Sequence, residues 1–240
     1  MHWTNGLIQL PDRSELQGAV AMGGDLQPQR LLSAYRCGVF PWPHGSCLLW
    51  FSPDPRTVLL PRQAHIGRSM RKAMLQTSYC VTADQCFDQV VQACASCRRS
   101  DQESTWINRD MISSMNTLHQ MGYAHSIEAY DQGKLVGGLY GLCLGGVFFG
   151  ESMFHTAPNA SKICFVVLLA QCAVWDIQLI DCQMDTPHMA RFGTQHWPRH
   201  RFETAVQQQV GRTTRMGPWL LQVNAVAALR ILREGAGPTH

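Results

Sequence analysis

The chain has 240 residues, of which 45% are hydrophobic and only 15% are charged. This composition excludes a disordered chain, and the length suits one large domain or two modest ones. No stretch of the sequence reaches the roughly 20 apolar residues of a membrane-spanning helix. Because the first residues lack the basic and apolar regions of a secretory signal, we expect a cytoplasmic protein without membrane attachment.

Arginine dominates the positive charge. Only three of the 20 basic residues are lysines, and the net charge is +3. Two stretches, 56–72 and 187–202, contain several basic residues and no acidic one. Arginine binds phosphate oxygens bidentately and stacks on flat rings, so these stretches are candidates for a phosphate-binding surface. The alternative is that these two stretches are the solvent-exposed faces of ordinary helices and strands.

The ten cysteines do not predict a disulfide framework or a metal site. Disulfides are rare in the cytoplasm, and a structural zinc site usually needs two pairs of ligands. The chain has one Cys-x-x-Cys, formed by Cys94 and Cys97, and no second pair at similar spacing. We therefore interpret most cysteines as small buried apolar residues.

The first 60 residues contain few predicted elements. The proline at position 28 opens a short amphipathic helix that ends at Gly38. Residues 40–56 hold four prolines and two tryptophans, which predicts a loop around a short strand at 48–51. We expect residues 1–60 to form a small lobe that packs on a larger domain.

From residue 61 the hydrophobic periodicity predicts regular elements. The predicted helices are 66–76, 85–97, 108–121 and 161–175, and the predicted strands are 79–82, 125–130, 135–144, 146–154 and 179–183. Helices followed by antiparallel strands, another helix and a strand indicate an α+β domain over residues 61–210. Residues 211–240 are predicted to be a loosely attached C-terminal tail with one helical segment.

Two motifs place polar side chains on otherwise apolar strands. Glu151 follows an apolar strand segment, where a buried carboxylate is costly unless it meets a cation or hydrogen-bond donors. Asp181 and Gln183 alternate with Cys182, so a regular strand would put both on one face. We interpret them as parts of a site. The alternative for Glu151 is a strand-end carboxylate that accepts hydrogen bonds from backbone amides. The alternative for Asp181 is a residue that caps a nearby helix.

Tryptophans in loops form a third group of candidates. Such side chains can stack on nucleobases or fill the space between two lobes. We expect Trp42, which lies between two prolines, to fill space, and Trp50 and Trp106 to contact a ligand.

Common nucleotide and acyl-group motifs are absent from the sequence. There is no phosphate-binding P-loop, no G-x-G-x-x-G and no G-x-S-x-G nucleophile elbow. The pyrophosphate loop of acyl-CoA acetyltransferases is missing too, so an acyl donor other than acyl-CoA is expected.

Separate short motifs follow one another from about residue 20 to residue 205. They include GGDL at 23–26, GVFPW at 38–42, LWFSPDPR at 49–56, LVGGLYG at 135–141, GESMF at 150–154, NASK at 159–162 and LIDCQ at 179–183. In this order they resemble the leucyl/phenylalanyl-tRNA–protein transferases of bacteria. His155 stands where the resemblance predicts a small polar residue, and the two ends of the chain match poorly.

The resemblance implies a small N-terminal lobe on a mixed-sheet domain with an acetyltransferase-like (GNAT) core. It implies transfer of Leu or Phe, and less readily Met, from aminoacyl-tRNA to the α-amine of proteins that begin with Arg or Lys. The modified proteins would be marked for degradation by the N-end rule route. The family needs no metal or coenzyme, so we expect no cofactor, and we expect a monomer.

Roles for individual residues follow from this reaction as predictions. Asp181 and Gln183 would accept hydrogen bonds from the incoming α-amine, and Glu151 would bind the cationic side chain of the acceptor. The proton would leave through these groups or through the ribose hydroxyls of the tRNA. The pocket for the aminoacyl group is predicted to be formed by Leu139, Phe148, Ser152, Met153, Phe165 and Leu168. Trp50 and Trp106 would contact the terminal adenosine. The acceptor-stem phosphates would be bound by Arg68, Arg71 and Lys72.

Two other classes of protein remain open at this point. A non-catalytic RNA-binding protein could use the same basic stretches, but it would not need Asp181 and Gln183 beside a carboxylate. An acyl-CoA N-acetyltransferase would need the pyrophosphate loop that the sequence lacks.

Overall fold

The computed structural model describes residues 4–10, 18–44, 47–97 and 106–235. The helices are α1 (Pro28–Arg36), α2 (Arg68–Gln76), α3 (Phe87–Ser96), α4 (Arg109–Gln120), α5 (Ala160–Val174), α6 (Pro187–Ala190), α7 (Arg199–Val210) and α8 (Ala225–Gly235). The strands are β1 (Ile8–Gln9), β2 (Ala19–Met22), β3 (Phe40–His44), β4 (Cys47–Phe51), β5 (Arg56–Leu59), β6 (Cys80–Ala83), β7 (Ala124–Asp131), β8 (Lys134–Leu144), β9 (Val147–His155), β10 (Leu179–Gln183) and β11 (Gln195–Trp197).

The strands form two sheets of different size. The small antiparallel sheet has the order β1-β2-β4-β3, and the larger one has the order β11-β5-β10-β9-β8-β7-β6. In the larger sheet β9 and β10 run parallel, while the other neighbours are antiparallel. The predicted α+β class, with a small N-terminal part and a larger mixed-sheet domain, is confirmed. The likeness to acetyltransferases and the boundary at residue 60 stay predictions, and β5, which precedes that boundary, pairs within the larger sheet.

The first 60 residues contain more strand than their prolines predict. Residues 40–44 form strand β3, although Pro41 and Pro43 favour a loop. The sheet tolerates both prolines because β3 lies at its edge, where a missing N–H costs no ladder hydrogen bond on the open side. The predicted loop at 40–44 is therefore wrong.

Helix α5 forms the centre of the larger domain. Its apolar residues surround the whole helix, and a helix of that composition is stable only when neighbours cover it on every side. It packs against β7, β8 and β9 on one side and against α8 on the other. No helix within the described parts of the chain has the length and apolar character needed to cross a bilayer.

The C-terminal segment is anchored to the core, which corrects the prediction of a loosely attached tail. The backbone N–H of Trp219 donates to Asp84, and its indole stacks on His125 with ring centroids 3.9 Å apart. Trp219 also lies against Phe148, and α8 packs on α2 and α5. The tail therefore supports the strand that carries Phe148, while residues 236–240 lie outside the described range.

Candidate active site

One cavity of about 560 Å³ collects most of the predicted site residues. Its walls come from strands β8, β9 and β10 and from helix α5. The predicted residues that it brings together are Leu139, Phe148, Glu151, Ser152, Met153, Phe165, Leu168, Asp181, Gln183 and Trp106. The apolar members lie together along the walls, so a side chain without charge would fill this part of the cavity at little desolvation cost.

Two β-bulges aim the polar side chains of the site. In β9, residues 150 and 152 pair with consecutive residues of β8, so Glu151 is an extra residue between them. In β10, residues 181 and 183 pair with consecutive residues of β5, which makes Cys182 the extra residue. Gln183 follows with φ +62°, a left-handed conformation. Bulges redirect side chains next to active sites, and here they bring Glu151 and Gln183 into contact.

Glu151 receives two hydrogen bonds on the same oxygen. The Tyr35 hydroxyl donates to Oε1 at 2.7 Å, and Gln183 Nε2 donates to it at 3.0 Å. Among the described residues no donor is bonded to Oε2, so this oxygen is left for a ligand. Burial, with help from the nearby charge of Asp181, raises the pKa of Glu151 to about 7. Near neutral pH this carboxyl can therefore be either charged or protonated.

Asp181 is bound to Arg56, a partner that the sequence did not reveal. Arg56 Nε and Nη2 donate to the two carboxylate oxygens at 2.7 Å each, and both side chains are fully buried. The Gln183 backbone N–H donates to Asp181 Oδ1 at 2.9 Å. Because the carboxylate is buried behind these bonds, we correct its predicted role. Asp181 holds Gln183 in place and does not itself receive the substrate amine.

Arg56 lies between two aromatic rings. Its guanidinium carbon is 4.7 Å from the ring centre of Phe40 in β3 and 4.4 Å from that of Phe202 in α7. Arginine is weakly hydrated and stacks on aromatic faces, which lowers the cost of burying its charge. The assignment of Arg56 to a phosphate-binding surface is wrong, since the side chain has no exposed surface.

The structure exchanges the predicted roles of two tryptophans. Trp42 lines the cavity beside Trp106, with ring centroids 6.0 Å apart. Trp50 is fully buried, and its indole N–H donates to the Gly23 carbonyl. It pairs with Pro41 across β3 and β4, so it occupies the sheet face opposite to that of Trp42. The prediction that Trp50 contacts the terminal adenosine is therefore wrong, and Trp42 takes its place as the candidate.

Sequence comparisons identify the relatives of this chain. The model of the leucyl/phenylalanyl-tRNA protein transferase family matches residues 58–207, and that of its N-terminal domain matches residues 24–54. A leucyl/phenylalanyl-tRNA–protein transferase of Myxococcus xanthus is 50% identical over 214 residues, which cover 89% of this chain and 92% of the relative. One of Stutzerimonas stutzeri is 51% identical over 199 residues, 82% of this chain and 88% of the relative.

The chain belongs to the leucyl/phenylalanyl-tRNA–protein transferase family. The family match includes the strands and helices that line the cavity, whereas the C-terminal segment with Trp219 lies beyond residue 207. The chain is thus an aminoacyltransferase whose cavity is backed by a segment outside the matched region.

The basic residues of α2 lie apart from the cavity in this transferase. Arg68, Arg71 and Lys72 are exposed on the helix surface, and Arg71 Nε donates to the Ile66 carbonyl at 2.7 Å. They are available for a large anionic partner on the outside of the domain. Their contact with tRNA phosphates stays a prediction.

A cysteine also lies in the cavity wall. Burial raises the pKa of the Cys182 thiol well above its usual range, with a further contribution from the charge of Asp181. The thiolate, not the thiol, is the nucleophile in cysteine chemistry. The raised pKa therefore keeps the Cys182 thiol protonated, a form that is a poor nucleophile.

Two further residues of the site, Tyr35 and Arg56, were not recognised from the sequence. Tyr35 falls on the buried side of α1, yet its hydroxyl binds Glu151. Arg56 begins a short apolar strand that the proline-rich context hid. The sequence motif at 49–56 ends in Arg56, and this motif is the signal from which Arg56 could have been recognised.

Proposed function

We propose that this chain transfers Leu or Phe, and less readily Met, from aminoacyl-tRNA to the α-amine of proteins that begin with Arg or Lys. The observation that carries the proposal is that one cavity joins an apolar chamber to the Glu151–Gln183 pair. An apolar chamber suits the aminoacyl side chain, and the polar pair suits an incoming amino terminus. Both substrates would meet where these two regions adjoin.

The apolar chamber would select the amino acid. Its walls are formed by Leu139, Phe148, Met153, Phe165 and Leu168. Polar and charged side chains would lose their hydration there without new partners, and β-branched ones would fit its shape poorly. The chamber would therefore accept unbranched or γ-branched apolar side chains, such as those of Leu, Phe and Met.

Gln183 would orient the attacking amine. Its Nε2 is bonded to Glu151, so its Oε1 is the remaining polar atom, unpaired within the described chain, that can accept a hydrogen bond from an amine. The Arg56–Asp181 pair holds the backbone of Gln183 and so fixes the direction of attack. Positioning of this kind is the main requirement, because an aminoacyl ester is already activated.

The reaction step is a simple exchange of bonds. The neutral α-amine attacks the ester carbonyl carbon, a C–N bond forms, and the C–O bond to the ribose breaks. The proton released by the amine ends on the departing ribose oxygen. An α-amine has a reference pKa of about 7.7–8.0, so a useful fraction is neutral near physiological pH without a strong base.

Glu151 would bind the cationic side chain of the acceptor's first residue. Its free Oε2 offers an acceptor, and an arriving guanidinium or ammonium would favour the charged carboxylate. Tyr35 holds the other oxygen from the N-terminal part of the chain. Recognition of Arg or Lys would therefore depend on contact between the small sheet region and the larger domain.

The tRNA would bind along the outside of the domain and enter the cavity by its 3′ end. Trp42 and Trp106 would flank the terminal adenosine, and the exposed basic residues of α2 would contact acceptor-stem phosphates. The product would be a substrate for N-end rule degradation, and the enzyme would act in the cytoplasm. We expect the enzyme to act as a monomer.

A transfer assay tests the proposal. The protein is incubated with radiolabelled Leu-tRNA and a peptide that begins with Arg, and labelled peptide is the expected product. The same peptide beginning with Ala should stay unlabelled. Absence of label with the Arg peptide would refute the proposed activity, and acetylation of the peptide from acetyl-CoA would favour the acetyltransferase alternative.

A further inference from the structure

Basic side chains gather at one rim of the cavity. His155, at the end of β9, and His188, in α6, both line it, and Lys162 lies in the first turn of α5. Ser161, which also lines the cavity, has its hydroxyl 3.5 Å from His155 Nδ1. Burial and the adjacent charges of Lys162, His155 and Arg191 lower the pKa of His188, which shows that these groups lie close together.

One nitrogen of this rim is buried without a partner. His188 Nε2 has no hydrogen-bond partner among the residues that the structure describes. A buried polar atom of this kind is costly, and it is usually satisfied by water or by a ligand. His188 lines the cavity, but Nε2 itself has no accessible surface, so the ring must turn before this nitrogen can bond a group in the cavity.

The rim also has little compensating negative charge. The sequence contains no acidic residue in 155–175 or in 186–202. The segment between them holds three acids: Asp176 is paired with Arg212, Asp181 is paired with Arg56, and the Asp185 carboxylate lies 3.9 Å from His196. Several basic groups without adjacent acids favour an anion over a neutral ligand.

A contact between backbones connects this rim to the basic surface of α2. The His65 N–H donates to the Phe192 carbonyl at 2.9 Å, so the residues just after α6 lie beside the start of α2. The end of α6, next to Arg191, and the start of α2, which carries Arg68, are therefore neighbours in the fold.

We propose that the rim formed by His155, Lys162, His188 and Arg191 binds the phosphodiester that precedes the terminal adenosine of the tRNA. The inference rests on the proposed function and adds a site to it. In this arrangement α2 contacts phosphates farther along the acceptor strand, the rim holds the last phosphate, and the aminoacyl group enters the apolar chamber. Lys162 and His188 donate to the phosphate oxygens, and the charge of Arg191 attracts the strand.

Two ligands that differ by one phosphodiester test the site. The first is adenosine with an amide-linked 3′-phenylalanine, and the second is the same compound extended by a 5′ methyl phosphate, which adds a phosphodiester and no second nucleoside. Wild-type protein should bind the extended compound about ten-fold more tightly, the effect of one charge-assisted hydrogen bond. Lys162→Ala and His188→Ala should remove most of this difference and leave the affinity for the shorter compound unchanged. Lys162→Arg should retain the difference.

Lys134→Ala is the matched control, because it removes an exposed lysine at the start of β8 that does not line the cavity. It should preserve the difference between the two ligands. Equal binding of both ligands by wild-type protein would overturn the inference alone, as would a difference that survives Lys162→Ala combined with His188→Ala. Failure of wild-type protein to bind either ligand would refute the proposed function itself, and the phosphate site with it.

Discussion

Arg56 and Asp181 form a bidentate ion pair in which both side chains are completely buried, with two N–O distances of 2.7 Å. The pair joins β5 to β10, the second and third of the seven strands in the larger sheet. Because Phe40 of the small sheet covers one face of the guanidinium, the same pair also connects the N-terminal region to the site. The ion pair is therefore both a structural link and the support of Gln183.

Arg56→Met should destabilise the protein by about 3–5 kcal/mol, because it leaves a buried carboxylate without its cation. Combining it with Asp181→Leu should recover much of that loss, since both buried charges are then gone. Urea unfolding of the two single variants and the double variant measures the coupling. Simple additivity of the two single effects would contradict the importance assigned to the pair.

Activity should respond differently from stability in the same variants. The double variant regains stability but still lacks the carboxylate that accepts the Gln183 backbone N–H. Its kcat should therefore remain low while its KM for aminoacyl-tRNA stays near that of the wild type. A double variant with normal turnover would show that Asp181 has no part in positioning Gln183.

Peptide binding should depend on pH through Glu151. Burial raises the pKa of this carboxyl to about 7, so the charged form that binds a cationic side chain increases as pH rises from 6 to 8. KM for a peptide beginning with Arg should fall about ten-fold over this range, which follows from the ionised fraction. Steady-state kinetics at several pH values measures it.

Glu151→Gln is the control for this pH effect. It keeps a side-chain oxygen for the Tyr35 hydroxyl but cannot ionise. The variant should have a high KM for the Arg peptide, without the fall between pH 6 and pH 8 that comes from Glu151 ionisation. Its kcat should still depend on pH through the ionisation of the attacking α-amine. An identical KM profile in wild type and variant would assign the titration to another group.

The sequence predicted strands β6 to β10 and the polar residues Glu151, Asp181 and Gln183, because both depend on local patterns. Apolar alternation located β10, and the cost of burying a carboxylate singled out Glu151. The α4 helix was predicted almost to the residue, since Asn108 caps it and Gly122 follows it with a positive φ. Such signals lie within a few residues of each other in the chain.

Features that depend on pairing between distant strands could not be predicted. The bulges at Glu151 and Cys182 arise from the register with β8 and β5, which no local pattern specifies. The partner of Asp181 is 125 residues away in the chain. The prolines beside Trp42 and the apolar residues beside Trp50 do not reveal which face of the sheet each ring occupies, and only the β3–β4 register shows that they lie on opposite faces.

Replacing these two tryptophans should have different effects. Trp42→Ala should weaken binding of an aminoacyl-adenosine by about 1–3 kcal/mol, the usual contribution of stacking on one base. Trp50→Ala should instead lower the free energy of unfolding by about 3–5 kcal/mol, because it empties a fully buried site. Ligand titration and urea unfolding of both variants distinguish the two effects. Equal loss of ligand affinity in both would contradict the exchange of roles.

Phe148 should limit the size of the amino acid that the chamber accepts. Its ring lines the cavity and lies against Trp219, with ring centroids 5.9 Å apart. Phe148→Leu shortens this wall, so the preference for Phe over Leu, measured as the ratio of their kcat/KM values, should rise about ten-fold. A change of one or two methylene groups in a pocket has an effect of this size.

Phe149→Leu is the matched control, because it makes the same change at the next residue of β9. Phe149 is buried on the other face of the strand, where its ring lies 5.3 Å from that of Tyr35. Both variants lose a similar amount of buried apolar surface and should lose similar stability. Only Phe148→Leu should change the ratio of Phe to Leu transfer. If Phe149→Leu changes it equally, the selectivity comes from general loosening of the sheet and not from the chamber wall.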